Sequence, residues 1–448
     1  MKNFIQTLKY IWKIDDLRNR IIATLGFVLV YRVGAHIVLP GVDPNMLGEG
    51  MMKQTESGIM SILNMFSGGA FANASIFALG IMPYITASII VQLLGMAIPY
   101  FQKLQKEGES GHRKINRITR YLTVGVMLVQ APSYLINLKH QINNPSAFFD
   151  GGSLWGFMVP SVLILTAGTL FIMWLGERIT DKGIGNGISL IIMIGIIARF
   201  PFALGAEFVS KVEEVGNGGL ISFIVELVML FLVFVVSILL VQGVRKIPVQ
   251  YAKRIVGNKQ YGGVRQYLPL KVNAAGVMPI IFAQALMFFP MMLAAFESEF
   301  TRSIASAFAD FTGFWYNFTY ALLIIVFTYF YTAITFSPVQ MAEDMKKKNG
   351  FIPGVKPGKA TVDKLDEIMS RITLPGSIFL ALIGILPVFA IACGVNNQFA
   401  QFYGGTSLLI LVGVILDTLM QIESHLLMRH YDGLMKSGRI KGRAGSGM

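Results

Sequence analysis

Long apolar stretches, from which Asp, Glu, Lys and Arg are almost absent, make up most of this chain. One α-helix needs about 20 apolar residues to cross a bilayer. Only 14% of the 448 residues are charged, against about 25% in soluble domains, and 54% are hydrophobic. Disorder requires low hydrophobicity. The pattern therefore predicts a polytopic membrane protein and excludes both a soluble enzyme and a disordered chain.

The apolar stretches divide into ten predicted transmembrane helices. Two stretches are too long for one span, and loop signals at Gly68-Gly69 and at Asn396, Asn397 and Gln398 divide them. We expect an all-α membrane protein. The spans lie near 21–39, 75–98, 121–138, 151–176, 183–198, 215–244, 272–296, 311–342, 374–393 and from 406 onward.

The basic residues give this arrangement an orientation. With ten spans, 32 of the 38 Lys and Arg fall on the side that carries both termini, five fall on the other side, and Arg32 lies within a span. Cytoplasmic loops carry the excess of positive charge, so both termini are predicted to be cytoplasmic. Residues 1–20 are predicted to form an amphipathic surface helix, and residues 429–448 a basic tail.

Two spans share a short motif. Gly80-Ile81-Met82-Pro83-Tyr84-Ile85 lies in the second span and Gly276-Val277-Met278-Pro279-Ile280-Ile281 in the seventh. The match predicts two halves of five spans, residues 21–216 and 217–428, related as an inverted repeat. A proline in mid-span would remove a helical hydrogen bond and loosen each helix. The alternative is a chance match between apolar segments.

The piece from Ile59 to Phe66 is too short to span a bilayer. Ile59, Ile62, Leu63 and Phe66 share one helical face, and Gly68-Gly69 permits a sharp turn before the second span. Such a hinged helix could fold back into the protein from the outside. The alternative is an ordinary external loop.

The fifth span opens with five residues that include three glycines, Gly183-Ile184-Gly185-Asn186-Gly187. Ile184 and Ile188 lie four residues apart and so share a helical face. We expect the glycines to leave these two side chains clear of neighbours. Close packing between helices is the alternative role for small residues.

No catalytic constellation, phosphate-binding loop or metal-ligand spacing is apparent, and Cys393 is the single cysteine. We therefore expect no enzyme activity, no cofactor and no metal. Few ionisable residues are predicted inside the spans: Arg32, His36, Asp417 and, near an end, Glu423 and His425. Asp417 is predicted to pair with a neighbouring helix.

The loops 243–273 and 337–373 are long and carry seven Lys or Arg each. Basic loops suit an acidic partner, which here means anionic lipid, RNA or an acidic protein face. The alternative is that they only control topology.

Seven ordered motifs identify a family that the chain resembles along nearly its whole length. The motifs lie at 66–69, 74–85, 106–111, 183–189, 268–273, 350–354 and 405–410. The chain is similar to the SecY family, the channel subunits of the general protein translocase. One departure is Lys356, where the family pattern usually has Arg, and Lys lacks the planar fork of a guanidinium.

The resemblance implies a channel that translocates unfolded polypeptide and inserts hydrophobic segments into the bacterial inner (plasma) membrane. The implied pore ring is Ile81, Ile85, Ile184, Ile188, Ile281 and Ile410. The implied plug, at about 57–69, includes Ile59, Ile62, Leu63, Phe66, Gly68 and Gly69. The implied lateral gate includes Pro83, Gln92, Gln130, Pro279 and Gln284, although local packing is an equal alternative for the glutamines.

The resemblance also implies partners. The cytoplasmic loops would dock a SecA ATPase or the ribosome through Arg254, Lys259 and Lys356. SecE-like and SecG-like subunits, preprotein signal sequences and anionic lipid complete the expected partners, and DNA is not one of them. The main rival function is a secondary transporter, which would need more ionisable groups at mid-membrane, and a membrane enzyme is a weaker third.

Overall fold

The computed structural model describes residues 12, 14–44, 64–142, 145–213, 219–251, 254–256, 259–261, 265–292, 308, 310 and 312–436. The chain forms two compact units. Unit 1 comprises residues 1–199 with 414–448, and unit 2 comprises residues 200–413. The predicted amphipathic helix at 1–20 and the basic tail at 429–448 lie largely outside the described residues, as do the plug positions Ile59, Ile62 and Leu63.

Helices dominate the described chain. They are α1 (Asp15–Gly34), α2 (Met82–Ala97), α3 (Pro99–Lys106), α4 (Glu109–Ile142), α5 (Val159–Lys182), α6 (Gly187–Glu213), α7 (Gly219–Gln242), α8 (Met278–Met292), α9 (Phe314–Thr335), α10 (Pro338–Lys347), α11 (Lys359–Ala392), α12 (Asn397–Ala400) and α13 (Gly405–Lys436). Short helical turns at Pro145–Ala147, Phe149–Gly152 and Leu154–Met158 connect α4 to α5.

Among the described residues, seven helices are long and apolar enough to cross a bilayer, or eight if the bent pair α2–α3 counts as one span. The seven are α4, α5, α6, α7, α9, α11 and α13. The helix α1 is not among them, and it carries Asp15, Asp16, Arg18, Arg20 and Arg32. A mostly helical, multi-pass protein is confirmed, and the count of ten stays a prediction.

The expectation of an all-α protein is wrong in the loop regions of unit 2. Five strands occur among the residues described there: β1 (Val244–Tyr251), β2 (Arg254–Val256), β3 (Lys259–Tyr261), β4 (Arg265–Lys271) and β5 (Gly350–Phe351). Both β4 and β5 pair antiparallel with β1, in the order β4-β1-β5, and β2 pairs with β3. Period-two burial of Ile247 and Val249 explains β1, because side chains alternate across a strand.

The two basic loops of unit 2 share one small core. Ile247, Val249 and Leu270 of the sheet pack with Met345 of α10 and Leu365 of α11. We call residues 244–271 with 338–371 the strand–helix subdomain. Its apolar centre shows that the loops are a folded structure, which topology control alone would not require.

The core of unit 1 joins four regions. Leu39, Phe71, Met127 and Leu165, with their neighbours, form one buried cluster that links α4 and α5 to the non-helical segments around 39 and 71. The apolar run at 21–39 was predicted as one span, but α1 ends at Gly34. The residues after it pair with the segment near Ser75 instead, since Leu39 N donates to Ala74 O (2.8 Å) and Ile76 N donates to Ile37 O (3.0 Å).

Candidate functional site

Each copy of the repeated motif forms the same corner at the start of a helix. Gly80 has φ +54° and is followed by α2 from Met82, and Gly276 has φ +65° and is followed by α8 from Met278. Positive φ is the conformation that glycine adopts without steric penalty. We call these the first corner (80–83) and the second corner (276–279). Their agreement argues against a chance match.

We had expected the prolines of both corners to interrupt a helix, but they do not. Pro83 and Pro279 are the second residues of α2 and α8, where the backbone nitrogen would have no helical partner anyway. The second span was predicted to begin at Ser75, but residues 76–81 form turns. Proline therefore starts these helices instead of loosening them.

The segment 64–81, which leads into the first corner, is folded and buried. Phe66 is buried, Gly68 has φ +64° and Gly69 has φ +94°. The Asn64 side chain accepts a hydrogen bond from Ala72 N (3.0 Å), and Gly69 N donates to Asn64 O (2.9 Å). The described part of the predicted plug is therefore packed inside the protein and is not a solvent-exposed loop.

Two residues of α1 fasten that segment. The guanidinium of Arg32 donates through Nη1 to Gly68 O (3.0 Å), and the hydroxyl of Tyr31 donates to Ser67 O (3.2 Å). From α6, Gly195 packs directly on the same turn, because a Cβ built on Gly68 would lie 2.8 Å from its Cα. The residues at the base of the predicted plug are thus held by side chains and by close backbone contact.

The glycine-rich turn before α6 packs tightly, so the prediction that Ile184 and Ile188 stand clear of neighbours is wrong. Ile184 is buried, and its backbone N–H donates to Thr24 Oγ1 (3.1 Å). A Cβ on Gly187 would overlap the carbonyl oxygen of Gly176, and one on Gly176 would lie 3.0 Å from Ile188 Cγ1. These glycines allow α5 and α6 to approach closely.

None of the six predicted pore-ring isoleucines is exposed. Ile81, Ile184 and Ile410 are buried, and Ile85, Ile188 and Ile281 are half-buried. Two of them, Ile281 and Ile410, belong to unit 2, and the other four belong to unit 1. Their common role at one constriction stays a prediction.

The predicted gate residues are also shielded. Pro83, Pro279 and Gln284 are buried, and Gln92 and Gln130 are half-buried. Gln92 Nε2 donates to Ser88 Oγ one turn earlier in α2 (3.3 Å), which is the local alternative for this glutamine.

The predicted docking residues lie in the strand–helix subdomain. Arg254 begins β2 and Lys259 begins β3, and the two strands pair as a hairpin. Lys356 is exposed in the turn between β5 and α11, where its carbonyl oxygen accepts a hydrogen bond from Thr361 Oγ1 (3.0 Å). The subdomain thus carries all three cations, with Lys356 at an exposed turn.

We had predicted that Asp417 pairs with a neighbouring helix, but its hydrogen bond lies within its own helix, α13. It is exposed, and its Oδ2 accepts a hydrogen bond from Gln421 Nε2 one turn later in α13 (3.3 Å). Gln421 in turn accepts a hydrogen bond from Gly185 N through Oε1 (2.9 Å). The glutamine, which sequence reasoning missed, makes the contact between elements.

Sequence reasoning also missed three buried charges in unit 2: Glu207, Lys211 and Glu226. We ended the fifth span at residue 198 because Arg199 follows, whereas α6 continues to Glu213. The sixth apolar run, 215–244, was taken to be free of charged residues, although it contains Glu226, which lies on α7. The apolar helices α6 and α7 therefore contain more ionisable residues than we had predicted. No group of three or more metal-ligating residues occurs in the part of the chain that the structure describes.

Comparisons with known proteins point to one family. The SecY family model matches residues 75–419. The protein translocase subunit SecY of Streptomyces coelicolor is 43% identical over 442 residues, which cover 95% of this chain and 98% of the relative.

Two solved structures share the fold. One is of a SecY protein whose plug domain is described as stabilising the closed state of the translocation channel and maintaining a membrane seal. It has a TM-score of 0.56 at 19% identity, over 91% of this chain and 92% of that one. The other is canine Sec61 in a ribosome–channel complex from the endoplasmic reticulum, with a TM-score of 0.54 at 17% identity and the same two coverages. With a matching family model over most of its length and a 43% identical full-length relative, the chain belongs to the SecY family.

Proposed function

We propose that this protein is the pore of a translocase, in which unfolded polypeptide crosses the membrane through a ring of isoleucines and leaves sideways into lipid through a gate. As a member of the SecY family it is a membrane channel subunit and not an enzyme. The observation that supports the pore most is that all six isoleucines are shielded in a chain whose other large apolar side chains are often exposed.

The chemistry of such a ring suits a channel for any sequence. Branched alkyl groups offer no hydrogen bond to a passing peptide and wet poorly, so the ring resists ions and yields to a moving chain. We infer that the segment at about 57–69 is a plug that closes the pore, and that the gate contains Pro83, Gln92, Gln130, Pro279 and Gln284. The buried hydrogen bonds at Ser67 and Gly68 support a closed resting position for that segment.

The proposed partners follow from charge and from the relatives. The seven cations in each loop of the strand–helix subdomain suit a ribosome or a SecA-type motor, with Arg254, Lys259 and Lys356 in contact. The ribosome-bound Sec61 relative supports the first of these. We also propose SecE-like and SecG-like subunits, signal sequences and anionic lipid as partners, and a bacterial plasma membrane location with both termini in the cytoplasm.

Reconstitution tests this function directly. Vesicles that contain the full chain, a SecE-like subunit and a SecA-type ATPase should protect an added preprotein from protease only when ATP is present. A preprotein that stays fully digested under these conditions would contradict the proposal.

The ring is tested by ion leak. Ile188→Asn should raise the conductance of closed channels, because a polar side chain lets water enter the constriction. The matched control is Ile197→Asn, since Ile197 lies on the same helix and is exposed. Equal conductance in the two variants would count against Ile188 as a ring residue.

The plug is tested by deletion of residues 60–66. The shortened chain should leak ions while it still translocates preprotein. A tight seal after deletion would show that the plug is not needed to close the pore.

A further inference from the structure

Three charged side chains are buried together in unit 2. Glu207 and Lys211 lie one turn apart on α6, and Glu226 lies on α7. Their residues are 0%, 7% and 8% exposed, respectively. Charges that are taken out of water are costly unless they are paired and hydrogen-bonded. The contacts of each oxygen and nitrogen therefore decide which charge state the cluster can hold.

Lys211 is the cation at the centre of the cluster. Its Nζ lies 3.3 Å from Glu226 Oε1 and 3.7 Å from Glu207 Oε1, and it donates to Gly394 O at 2.8 Å. Backbone and hydroxyl groups supply two more donors. Asn396 N donates to Glu207 Oε2 (2.9 Å), and Ser222 Oγ donates to Glu226 Oε1 (3.2 Å).

One oxygen of each carboxyl group is left without a donor. Glu207 Oε1 and Glu226 Oε2 are buried and accept no hydrogen bond. The two carboxyl groups also face the same ammonium group, since Lys211 Nζ lies within 4 Å of an oxygen of each. Ionised carboxylates only accept, so they cannot bond to each other, whereas a protonated carboxyl group donates. Two ionised carboxylates beside one lysine would also leave a net negative charge in a buried place.

We propose that Glu207 and Glu226 bind one proton between them, and that this shared proton, together with Lys211, fastens residues 393–403 to α6 and α7. With the proton bound, the cluster holds one ammonium, one carboxylate and one carboxylic acid and is neutral. A metal cation is disfavoured there because the lysine already occupies the position between the carboxyl groups.

The other titratable groups that face the cluster come from the segment it fastens. Tyr403 donates through its hydroxyl to the carbonyl oxygen of Glu226 (2.7 Å), and the exposed Cys393 lies near that tyrosine. Neither the tyrosine nor the cysteine can carry a positive charge, so neither balances the charge of a second carboxylate. When the pH rises far enough to remove the proton, two carboxylates face each other and the attachment of Gly394 and Asn396 weakens.

Infrared spectroscopy of the purified full chain tests the proton itself. A protonated carboxyl group has a carbonyl stretch that ionised carboxylates lack, and this band shifts in D2O. We expect the wild-type protein to show it at neutral pH. Both Glu207→Gln and Glu226→Gln should abolish it, because the remaining carboxyl group then pairs with Lys211 and stays ionised. Glu213→Gln, at the exposed end of α6, should leave it intact.

Thermal unfolding in detergent gives a second readout. The wild-type midpoint should fall as the pH is raised above neutral, and the Glu207→Gln midpoint should depend less on pH because that variant needs no proton. Lys211→Met should lower the midpoint at neutral pH, and Lys211→Met with Glu207→Gln should recover most of the loss.

The proposal fails if the wild-type protein lacks the infrared band, or if the band survives in both glutamine variants. It also fails if Glu207→Gln and Glu226→Gln each raise the unfolding midpoint at neutral pH, because that result would indicate two ionised carboxylates in the wild-type protein. Should the glutamine variants not fold, Glu207→Asp and Glu226→Asp should each shift the band, and an unshifted band would overturn the proposal.

Discussion

The first and second corners have the same turn chemistry but different approaches. Each has a glycine at positive φ, then one residue, then a helix that begins with Met-Pro. The first corner is entered from segment 64–81, which is buried and held by Arg32 and Tyr31. The second is entered from β4, an edge strand of the strand–helix subdomain.

This difference separates what starts a helix from what holds its approach in place. A glycine that permits positive φ and a proline in the first turn start a helix on local grounds. The side-chain hydrogen bonds from Arg32 and Tyr31 are made at the approach to the first corner, where we propose that a plug must be held closed and yet be releasable. Tertiary contacts, and not the motif, therefore distinguish the two corners.

The largest effect is expected at the first corner's approach. Gly68→Ala should destabilise the closed state most, because a Cβ there would lie 2.8 Å from the backbone Cα of Gly195, and this clash adds to the roughly 1–2 kcal/mol cost of positive φ. Ion conductance of closed channels should rise at least about tenfold. The control is Gly125→Ala in α4, where nothing lies within 4 Å. Equal, low conductance in both variants would refute the tight contact.

Removal of the Arg32 tether should have a smaller effect. Arg32→Met leaves Gly68 O without its charged donor, and such a hydrogen bond contributes about 1.5–3 kcal/mol. We expect faster proteolysis or cysteine labelling of segment 64–72. Arg113→Met, which removes an exposed arginine of α4, should not change the rate. Unchanged labelling of the Arg32 variant would show that the tether does not hold the segment.

The corner glycines themselves should respond alike. Gly80→Ala and Gly276→Ala each place an L-residue at positive φ, and neither Cβ would come within 3.4 Å of another atom. We expect about 1 kcal/mol of destabilisation at each position, measured by denaturation in detergent. A large loss at only one corner would mean that the motif is not equivalent in the two units.

The smallest effect on folding is expected at the tip of the strand–helix subdomain. Lys356→Glu should leave stability within about 0.5 kcal/mol, since the side chain is exposed, but should weaken docking of a motor or ribosome. Lys356→Arg should strengthen docking, because a guanidinium binds carboxylates and phosphates in two places. Lys182→Glu, at an exposed lysine of unit 1, is the control. Unchanged docking in both Lys356 variants would show that Lys356 is not part of the docking surface.

Local signals predicted much of the fold, and the failures share a physical cause. Apolar length and charge placed the long helices, and the Gly-x-Met-Pro match located both corners. The start of α2 at Met82 was missed because residues 74–76 bond to 37–39, which are distant in sequence. The strands were missed because the alternation of Ile247 and Val249 is short and lies in a basic loop.

The site shows the same limit. Gly187 was noticed, but its role became apparent only from its contact with Gly176 in the neighbouring helix. Glu207 and Lys211 were missed because Arg199 ended the apolar run while the helix continued. Pairing of Glu226 with Lys211 depends on how α6 and α7 pack, which a single sequence does not report.

Cross-linking to a threaded polypeptide tests the pore most directly. In a Cys393→Ser background, single cysteines would replace Ile188, Ile281 and the exposed Phe231 of α7, and a preprotein with one cysteine would be arrested during translocation. We predict disulfide cross-links at positions 188 and 281 and none at 231. Cross-links at 231 alone, or none at both isoleucine positions while the arrested chain is protected from protease, would contradict a pore lined by these isoleucines.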